Sequence, residues 1–330
     1  MSLLHKLNLR AKTESNTGFG VNATDYGGRF LNRDGRANIQ PINIGFFART
    51  SWFHTMLELK WWMFLGLILF SFITINLFFA TLYYLIGVEH LGGLISESKC
   101  DQFIEAFFFS TQTFTTVGYG RINPTGFLAN ILSSLEALTG LTTFALVTGL
   151  LYGRFSKPKA YIRFSENAVI APYKDGIALM LRLVPYKNTY LTDAEAKLTL
   201  GLGIEENEKM VNRFYPLEME FSKVNALPLS WTIVHPITED SPLFKLTPYD
   251  YANMRGEVIV YIKAFDDMFS NTVAARFSYI FKEIIVGAKF APMYFRSEEG
   301  NRTILDFDKL NQFNKVDVSN VFAKQQADSF

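Results

Sequence analysis

The sequence predicts an α-helical membrane domain of two spans with a short re-entrant helix between them, followed by an all-β cytoplasmic sandwich. Three observations carry this reading. Two long apolar runs, 61–86 and 127–153, are separated by a shorter apolar stretch, Phe103 to Phe114. From residue 160 onward, apolar side chains recur at every second residue instead. Composition removes other classes. Lys plus Arg number 32 against 31 Asp plus Glu, a net of +1, which argues against a nucleic-acid partner. A hydrophobic content of 49% argues against a disordered acidic chain. The single Cys100 leaves no intramolecular disulfide and no cysteine zinc site, and His5, His54, His90 and His235 are scattered. No Ser/His/Asp order or phosphate loop points to an enzyme.

Residues 61–86 contain no Asp, Glu, Lys or Arg. As a helix this run covers ~39 Å, enough to cross a hydrocarbon core of ~30 Å with tilt. Residues 127–153 carry one charge, Glu136. Trp61, Trp62, Tyr83, Tyr84 and Tyr152 mark the run ends, where amphipathic rings favour the membrane interface. A buried core helix is the bland alternative, and it needs neither this length nor these ends. A cleaved signal peptide is disfavoured, because the first apolar run begins only at Trp61. Lys6, Arg10, Lys12, Arg29, Arg33, Arg36, Arg49 and Lys60 precede the first run, and Arg154, Lys157, Lys159 and Arg163 follow the second. The connection 87–126 holds only Lys99 and Arg121, so the positive-inside tendency puts both termini in the cytoplasm. Phe103–Phe114 is too short to span. Irregular backbone at membrane depth is tolerated only inside protein or along a cavity, so a helix that dips in and returns as a loop is expected.

That loop reads Thr115-Thr116-Val117-Gly118-Tyr119-Gly120. Selectivity for K+ needs rings of backbone carbonyls that replace the ion's hydration shell. Gly118 and Gly120 allow the dihedrals that turn successive carbonyls to one axis. Val117 and Tyr119 then point outward and brace the loop, and the Thr116 hydroxyl adds an inner oxygen ring. One chain supplies one loop and four are needed, so a homotetramer is expected, with K+ as permeant ion and no cofactor. A glycine turn in a β-hairpin is the alternative, and the preceding apolar helix and flanking spans argue against it. The stretch matches the potassium-channel signature, and the chain resembles that superfamily.

Longer stretches resemble the inward-rectifier potassium channels, especially their prokaryotic branch. Arg29-Phe30-Leu31-Asn32-Arg33-Asp34-Gly35-Arg36-Ala37-Asn38-Ile39-Gln40 is similar to an N-terminal segment of animal members. Arg154-Phe155-Ser156-Lys157-Pro158-Lys159-Ala160 is similar to the family's basic junction. Ser165 through Pro172 and Trp231 through Phe244, including His235-Pro236-Ile237, are similar to parts of its cytoplasmic domain. The resemblance covers about residues 29–310. No arginine-bearing third or fourth span provides a voltage sensor.

The C-terminal region reads as strands independently. Ile177, Leu179, Leu181 and Leu183, then Leu198, Leu200 and Leu202, then Val258, Val260 and Ile262 each alternate with period two. Nine or ten such strands without intervening helices predict a β-sandwich. No Gly-rich strand-to-helix turn suggests a Rossmann regulator. The resemblance implies an immunoglobulin-like sandwich that extends the pore. The expected divisions are a cytoplasmic N-terminal segment 1–42, an interfacial slide helix 43–60, a pore domain 61–153, the sandwich 154–310 and a tail 311–330.

Residues 43–57 mix apolar Phe46, Phe47, Trp52 and Phe53 with polar Arg49, Thr50 and His54, as a helix in the interface plane does. In the second span Gly140, Phe144, Thr148 and Tyr152 recur every four residues, a spacing that lines one side of a tilted helix. Four copies of Tyr152 form an apolar constriction that stops ions by dewetting, at the position of the family's gate. An interface anchor is the alternative role of Tyr152. Gly149 and Gly140 are hinge candidates, although glycine also permits close packing. The resemblance aligns Phe144 with the cavity acid of strong rectifiers, which implies weak rectification. It aligns Gln112 with a pore-helix Glu and Arg121 with an Asp common after the filter. Glu136 is expected behind the filter, where it and Arg121 are candidates to compensate one another.

Lys60, Trp61, Arg154, Lys157 and Lys159 gather at the cytoplasmic junction, where each basic residue attracts anionic head groups by ~1 kcal/mol. The resemblance implies phosphoinositide sensitivity; plain positive-inside topology is the alternative. It also aligns Met268, Phe269 and Ser270 with a narrow apical loop, a second constriction. The lack of a cysteine pair around the pore points to a prokaryotic inner membrane. The expected function is a passive potassium channel gated at the inner-helix crossing and by the cytoplasmic domain. The rivals are a poorly selective cation channel, given Gln112 and Arg121, and a non-conducting membrane receptor whose sandwich binds a partner.

Overall fold

The chain divides into two units, Pro41–Lys157, and Met1–Gln40 together with Pro158–Phe330. The structure is a computed structural model, and it describes residues 13–14, 28–45, 51–187, 189–206 and 209–318. In the first unit, α1 (Trp52–Glu58) starts at Ser51, whose side chain accepts the His54 N–H. Of the helix expected over 43–60, Trp52–Glu58 is helical and residues 43–45 are not; Phe46, Phe47, Arg49 and Thr50 lie outside the described residues. α2 (Trp61–Ile86) follows and ends at Gly87, whose φ of 115° disfavours any side chain. Then come α3 (Lys99–Phe114) and α4 (Phe127–Phe155). β1 (Leu91–Gly92) pairs with β2 (Asn123–Pro124) and ties together the two ends of the connection.

In their most apolar windows, α2 is only 22% buried within the chain and α4 only 11%. A helix in a soluble core hides most of its apolar surface, so these faces are built for lipid or for neighbouring chains. The apolar contacts inside this unit gather Phe79 and Tyr83 of α2 with Ala106 and Phe109 of α3.

The second unit is a sandwich. Its strands are β3 (Ile162–Phe164), β4 (Ala168–Tyr173), β5 (Gly176–Pro185), β6 (Leu191–Glu206), β7 (Lys209–Leu217), β8 (Lys223–Ala226), β9 (Trp231–Pro236), β10 (Gly256–Asp266), β11 (Asn271–Ile280) and β12 (Ile284–Val286). A short helix, α5 (Pro248–Asn253), precedes β10. One five-stranded sheet runs β11-β10-β6-β7 with β8 added to β6; the other runs β12-β4-β5-β3 with β9 added to β5. Every residue of the three period-two series named above lies in the shared core. Alternation put them there, since successive strand side chains face opposite sides.

Two short-strand pairs lie outside that pattern. β13 (Ala288–Phe290) pairs with β16 (Phe313–Lys315), and β14 (Tyr294–Arg296) with β15 (Thr303–Leu305). Past the boundary expected at 310, Leu310 is buried and β16 pairs with β13 as far as Lys315. These segments cover the outer face of β5, which buries Arg182. Its guanidinium donates to the Ala291 carbonyl at 2.7 Å and sits 4.5 Å from the Phe290 ring centroid. Burial brings its pKa down to about 10.

The N-terminal segment belongs to this unit too. The Phe30 and Leu31 N–H groups donate to the buried Glu257 carboxylate at 2.5 and 3.1 Å. The Phe30 ring lies 5.2 Å from that of Phe214 and over Gly201, where a Cβ would come within 2.9 Å of it. Arg29 and Arg33 pair with Glu283 at 3.1 and 2.7 Å. Burial raises the Glu283 pKa, but the hydrogen bonds from Arg33, the Ile280 N–H and Arg29 outweigh it and hold the carboxyl below its usual range.

Candidate ion-conduction site

α3 has 16 residues, about 24 Å of helix, too short to cross a bilayer. It starts before the expected Phe103 because Ser98 has the extended backbone of an N-cap and Asp101 suits the first turn. Its last residue is Phe114, so the helix delivers its partial negative C-terminal end to Thr115 and Thr116. That end favours a cation.

The loop then takes an unusual path. Thr116, Gly118 and Gly120 have φ of 59°, 54° and 85°, while Val117 and Tyr119 between them do not have positive φ. In an ordinary extended chain neighbouring groups face opposite ways. Reversing the hand at every second residue brings successive carbonyls to one side. The sequence assigned this freedom to the glycines only; Thr116 also adopts it, at a cost of order 1–3 kcal/mol that the surroundings must offset. The Gln112 carbonyl accepts the Val117 and Gly118 N–H groups at 3.0 and 3.4 Å, and the Thr113 carbonyl accepts that of Thr116 at 3.0 Å. Gln112 thus holds the loop through its backbone, independent of its side chain. Within one chain Val117 is 53% and Tyr119 80% exposed, so the bracing expected of them is not made within it.

Arg121 and Glu136 are not partners. Arg121 Nη2 bonds Glu105 Oε1 at 2.8 Å, and Glu105 Oε2 accepts the Ile95 N–H at 3.2 Å. At Gly93 a Cβ would stand 1.9 Å from the Arg121 carbonyl, so only glycine lets the outer connection close over the loop's exit. The compensation expected between Glu136 and Arg121 is replaced by this nearer acid. Glu136 instead faces inward between the helices. Both of its oxygens are occupied: the Tyr83 hydroxyl donates to Oε2 at 2.7 Å, and the Ser110 hydroxyl donates to Oε1.

The expected four-residue stripe on α4 splits. Phe144 and Tyr152 are 71% and 73% exposed and Thr148 is exposed, but Gly140 is buried. Four-residue steps drift ~40° each, which turns Gly140 away from Tyr152 and onto α3. A Cβ at Gly140 would lie 2.0 Å from the Phe114 carbonyl oxygen; at Gly149 it would meet nothing within 4 Å. A cavity of about 690 Å³ adjoins the inner end of the loop, lined in part by Phe72, Phe114, Thr115, Thr116, Phe144 and Val147.

The basic residues of the junction have different surroundings. Arg154 donates to the carbonyls of Met56 at 2.5 Å and Leu59 at 2.7 Å, and lies over the rings of Phe64 and Trp61. Lys157 reaches Glu58 at 3.4 Å on an exposed surface. Lys60 is the N-cap of α2, and Trp61 packs on Phe155 with centroids 5.7 Å apart. Lys159 belongs to the other unit, in a cavity of about 810 Å³ with Arg33, Arg163, Arg276, Asp34 and Glu166. Met268, Phe269 and Ser270 form the tip of the β10–β11 hairpin, where Asp266 Oδ1 accepts the Met268 N–H at 3.0 Å. Sequence reasoning missed Asn76, Tyr83, Glu105 and Ser110; a polar side chain within an apolar run was the available signal for Asn76 and Ser110.

A family profile described as "Inward rectifier potassium channel C-terminal domain" matches residues 162–329, and one described as "Ion channel" matches residues 71–157. The chain is 33% identical over 289 residues to the inward rectifier potassium channel Kirbac3.1 of Paramagnetospirillum magnetotacticum, covering 86% of this chain and 95% of that one. It belongs to the inward rectifier potassium channel family. Family membership makes it an integral membrane ion-channel protein, not an enzyme. More distant members include the inward rectifier potassium channel irk-1 of Caenorhabditis elegans, 26% identical over 85% of this chain and 56% of that one. The ATP-sensitive inward rectifier potassium channel 12 of Gallus gallus is 27% identical over 87% of this chain and 72% of its own length. Among solved structures, the sporulation control protein Spo0M of Bacillus subtilis overlaps 39% of this chain and 48% of its own at 12% identity, with a TM-score of only 0.21.

Proposed function

We propose that four copies of the chain enclose a potassium-selective pore whose filter is built from the carbonyls of Thr116, Val117, Gly118, Tyr119 and Gly120. One observation carries this reading: left-handed backbone alternates along a Thr-Val-Gly-Tyr-Gly loop that hangs from the C-terminal end of a re-entrant helix. The unbraced Val117 and Tyr119 and the exposed apolar face of α4 support the tetramer, since each needs a neighbour. Gln112, Arg121 and Glu136 support the filter from behind and above. Phe144, Thr148 and Tyr152 line the inner pore, Tyr152 closes it by dewetting, and Gly149 lets the inner helix bend. Without an acid at Phe144, rectification is weak. Met268, Phe269 and Ser270 form a second, cytoplasmic constriction. Both termini are cytoplasmic, and the membrane is a prokaryotic inner membrane. Anionic head groups, phosphoinositides included, modulate opening through Lys60, Trp61, Arg154, Lys157 and Lys159.

The test is rubidium uptake by liposomes holding the purified full chain, with reversal potentials under a potassium/sodium gradient. Uptake that barium blocks and that Gly118→Ala abolishes is expected. A reversal potential near zero contradicts the selective filter, and absent uptake contradicts conduction altogether.

A further inference from the structure

We propose that Ser110 is a positioning residue for the filter: its hydroxyl oxygen lies between Asn76 of α2 and Glu136 of α4, its one proton serving one of these acceptors at a time, and so sets the height and rotation of the helix from which the filter loop hangs. This rests on the filter reading above and goes beyond it to the residues that hold the filter in register.

Asn76, Ser110 and Glu136 are each 0% exposed, and each comes from a different helix. Buried polar groups in an apolar membrane domain are costly unless paired, so three meeting at one point mark a specified contact. The Asn76 amide has a defined orientation. Its Nδ2 donates to the Phe72 carbonyl at 2.7 Å, which leaves Oδ1 turned to Ser110 Oγ at 3.1 Å. The Asn76 carbonyl lies 3.2 Å from the same oxygen. On the other side the Ser110 hydroxyl meets Glu136 Oε1, and the Tyr83 hydroxyl fixes the second carboxylate oxygen at 2.7 Å. The Tyr83 ring is itself locked edge-on against Phe109, centroids 5.1 Å apart.

One such point would let α3 pivot. A second contact lies one helical turn further along both helices: Phe114 is four residues after Ser110, Gly140 four after Glu136, and the Phe114 carbonyl seats in the notch at Gly140. Phe72, one turn before Asn76, adds its ring against that of Phe114 at 5.7 Å. Two rungs one turn apart fix both sliding and rotation, and Thr115 and Thr116 follow directly. The carbonyl rings that select an ion then inherit their position from Ser110.

The test compares wild type, Ser110→Ala and Asn76→Ala as full-length tetramers, by potassium/sodium permeability ratio, barium block and thermal unfolding in detergent. Ser110→Ala is expected to assemble and to lose about tenfold or more in permeability ratio, the factor that leaving a buried polar group unpaired supports. Asn76→Ala, which keeps the Ser110–Glu136 bond, is expected to lose less, in the same direction. A role confined to stability predicts lower melting with unchanged selectivity and barium block, and that result overturns the proposal. Should Ser110→Ala fail to assemble, wild-type selectivity in Asn76→Ala overturns it as well. A wild type that does not discriminate potassium from sodium condemns the filter reading and this proposal with it, whereas a selective wild type with equally selective variants condemns this proposal alone.

Discussion

Replacing Gly140 by alanine asks how the pore helix is seated on the inner helix. The added Cβ would stand 2.0 Å from the Phe114 carbonyl oxygen, 2.8 Å from its carbon and 3.1 Å from its Cα. A relaxed carbon–oxygen contact needs about 3.3 Å or more, so the two helices must part by roughly 1 Å. All three of these atoms are backbone, and none can rotate aside. Overpacking of this kind costs about 1–3 kcal/mol, and the helix preference of alanine over glycine returns at most about 1 kcal/mol. Gly149→Ala is the matched control: within the chain its Cβ meets nothing within 4 Å, so no clash offsets the favourable helix term there. In thermal unfolding of the detergent-solubilised protein, Gly140→Ala should melt lower than wild type and Gly149→Ala should not. In liposome rubidium uptake, Gly140→Ala should lose barium-sensitive flux, because the displaced Phe114 directly precedes the filter loop. Gly149→Ala should keep barium block while shifting the extent of opening. Wild-type melting and flux in Gly140→Ala would refute the close seating of the two helices.

Other expectations follow from the same structure. His235 is buried with Nδ1 donating to the Glu218 carbonyl at 2.5 Å and Nε2 bonded to Ser241 at 2.8 Å. Burial lowers its pKa from 6.5 to about 4, so its contribution to stability is whole above pH 6.5 and is lost as pH falls toward 4. The loss is on the order of 3 kcal/mol, and it should vanish from the pH dependence of chemical unfolding in His235→Gln. Glu257→Gln turns one acceptor oxygen into a donor facing the Phe30 and Leu31 N–H groups. It should release the N-terminal segment by about 1–3 kcal/mol, read as faster hydrogen exchange at Phe30 and Leu31 with the sandwich strands still protected. Arg154→Lys keeps the charge but loses the forked contact with Met56 and Leu59. It should weaken the hold on α1 by about 1 kcal/mol, measured as increased exchange at Leu57 and Leu59; unchanged exchange would count against that tether.

The sandwich was legible because burial on one face leaves a mark of period two, as in Ile177 to Leu183. The opposite face of the same strand was not, because Arg182 reads as solvent-facing until the later segments β13 to β16 cover it. The Thr-Val-Gly-Tyr-Gly loop was legible as a motif and its two glycines as backbone switches, but nothing about a threonine announces a positive φ at Thr116. Glu136 stood out as a lone charge in an apolar run, whereas its partners are 26 and 53 residues away and belong to other helices. Similarly, Arg121 could be seen to lack the expected acid, but not that Glu105 would supply one from the first turns of α3. Pairings across helices depend on crossing geometry, which periodicity does not encode.

Arg154 has a mechanical consequence. Its forked head grips the Met56 carbonyl of α1 and the Leu59 carbonyl just beyond it, and a Cβ at Gly153 on α4 would stand 3.2 Å from Leu57 of that helix. The short helix and the foot of the long one are thereby riveted together without passing through α2. On the proposed reading, any lateral drag that the bilayer surface exerts on Trp52 and Phe53 is delivered as torque two residues from Tyr152, the residue proposed to close the pore, so lever and latch share one pin.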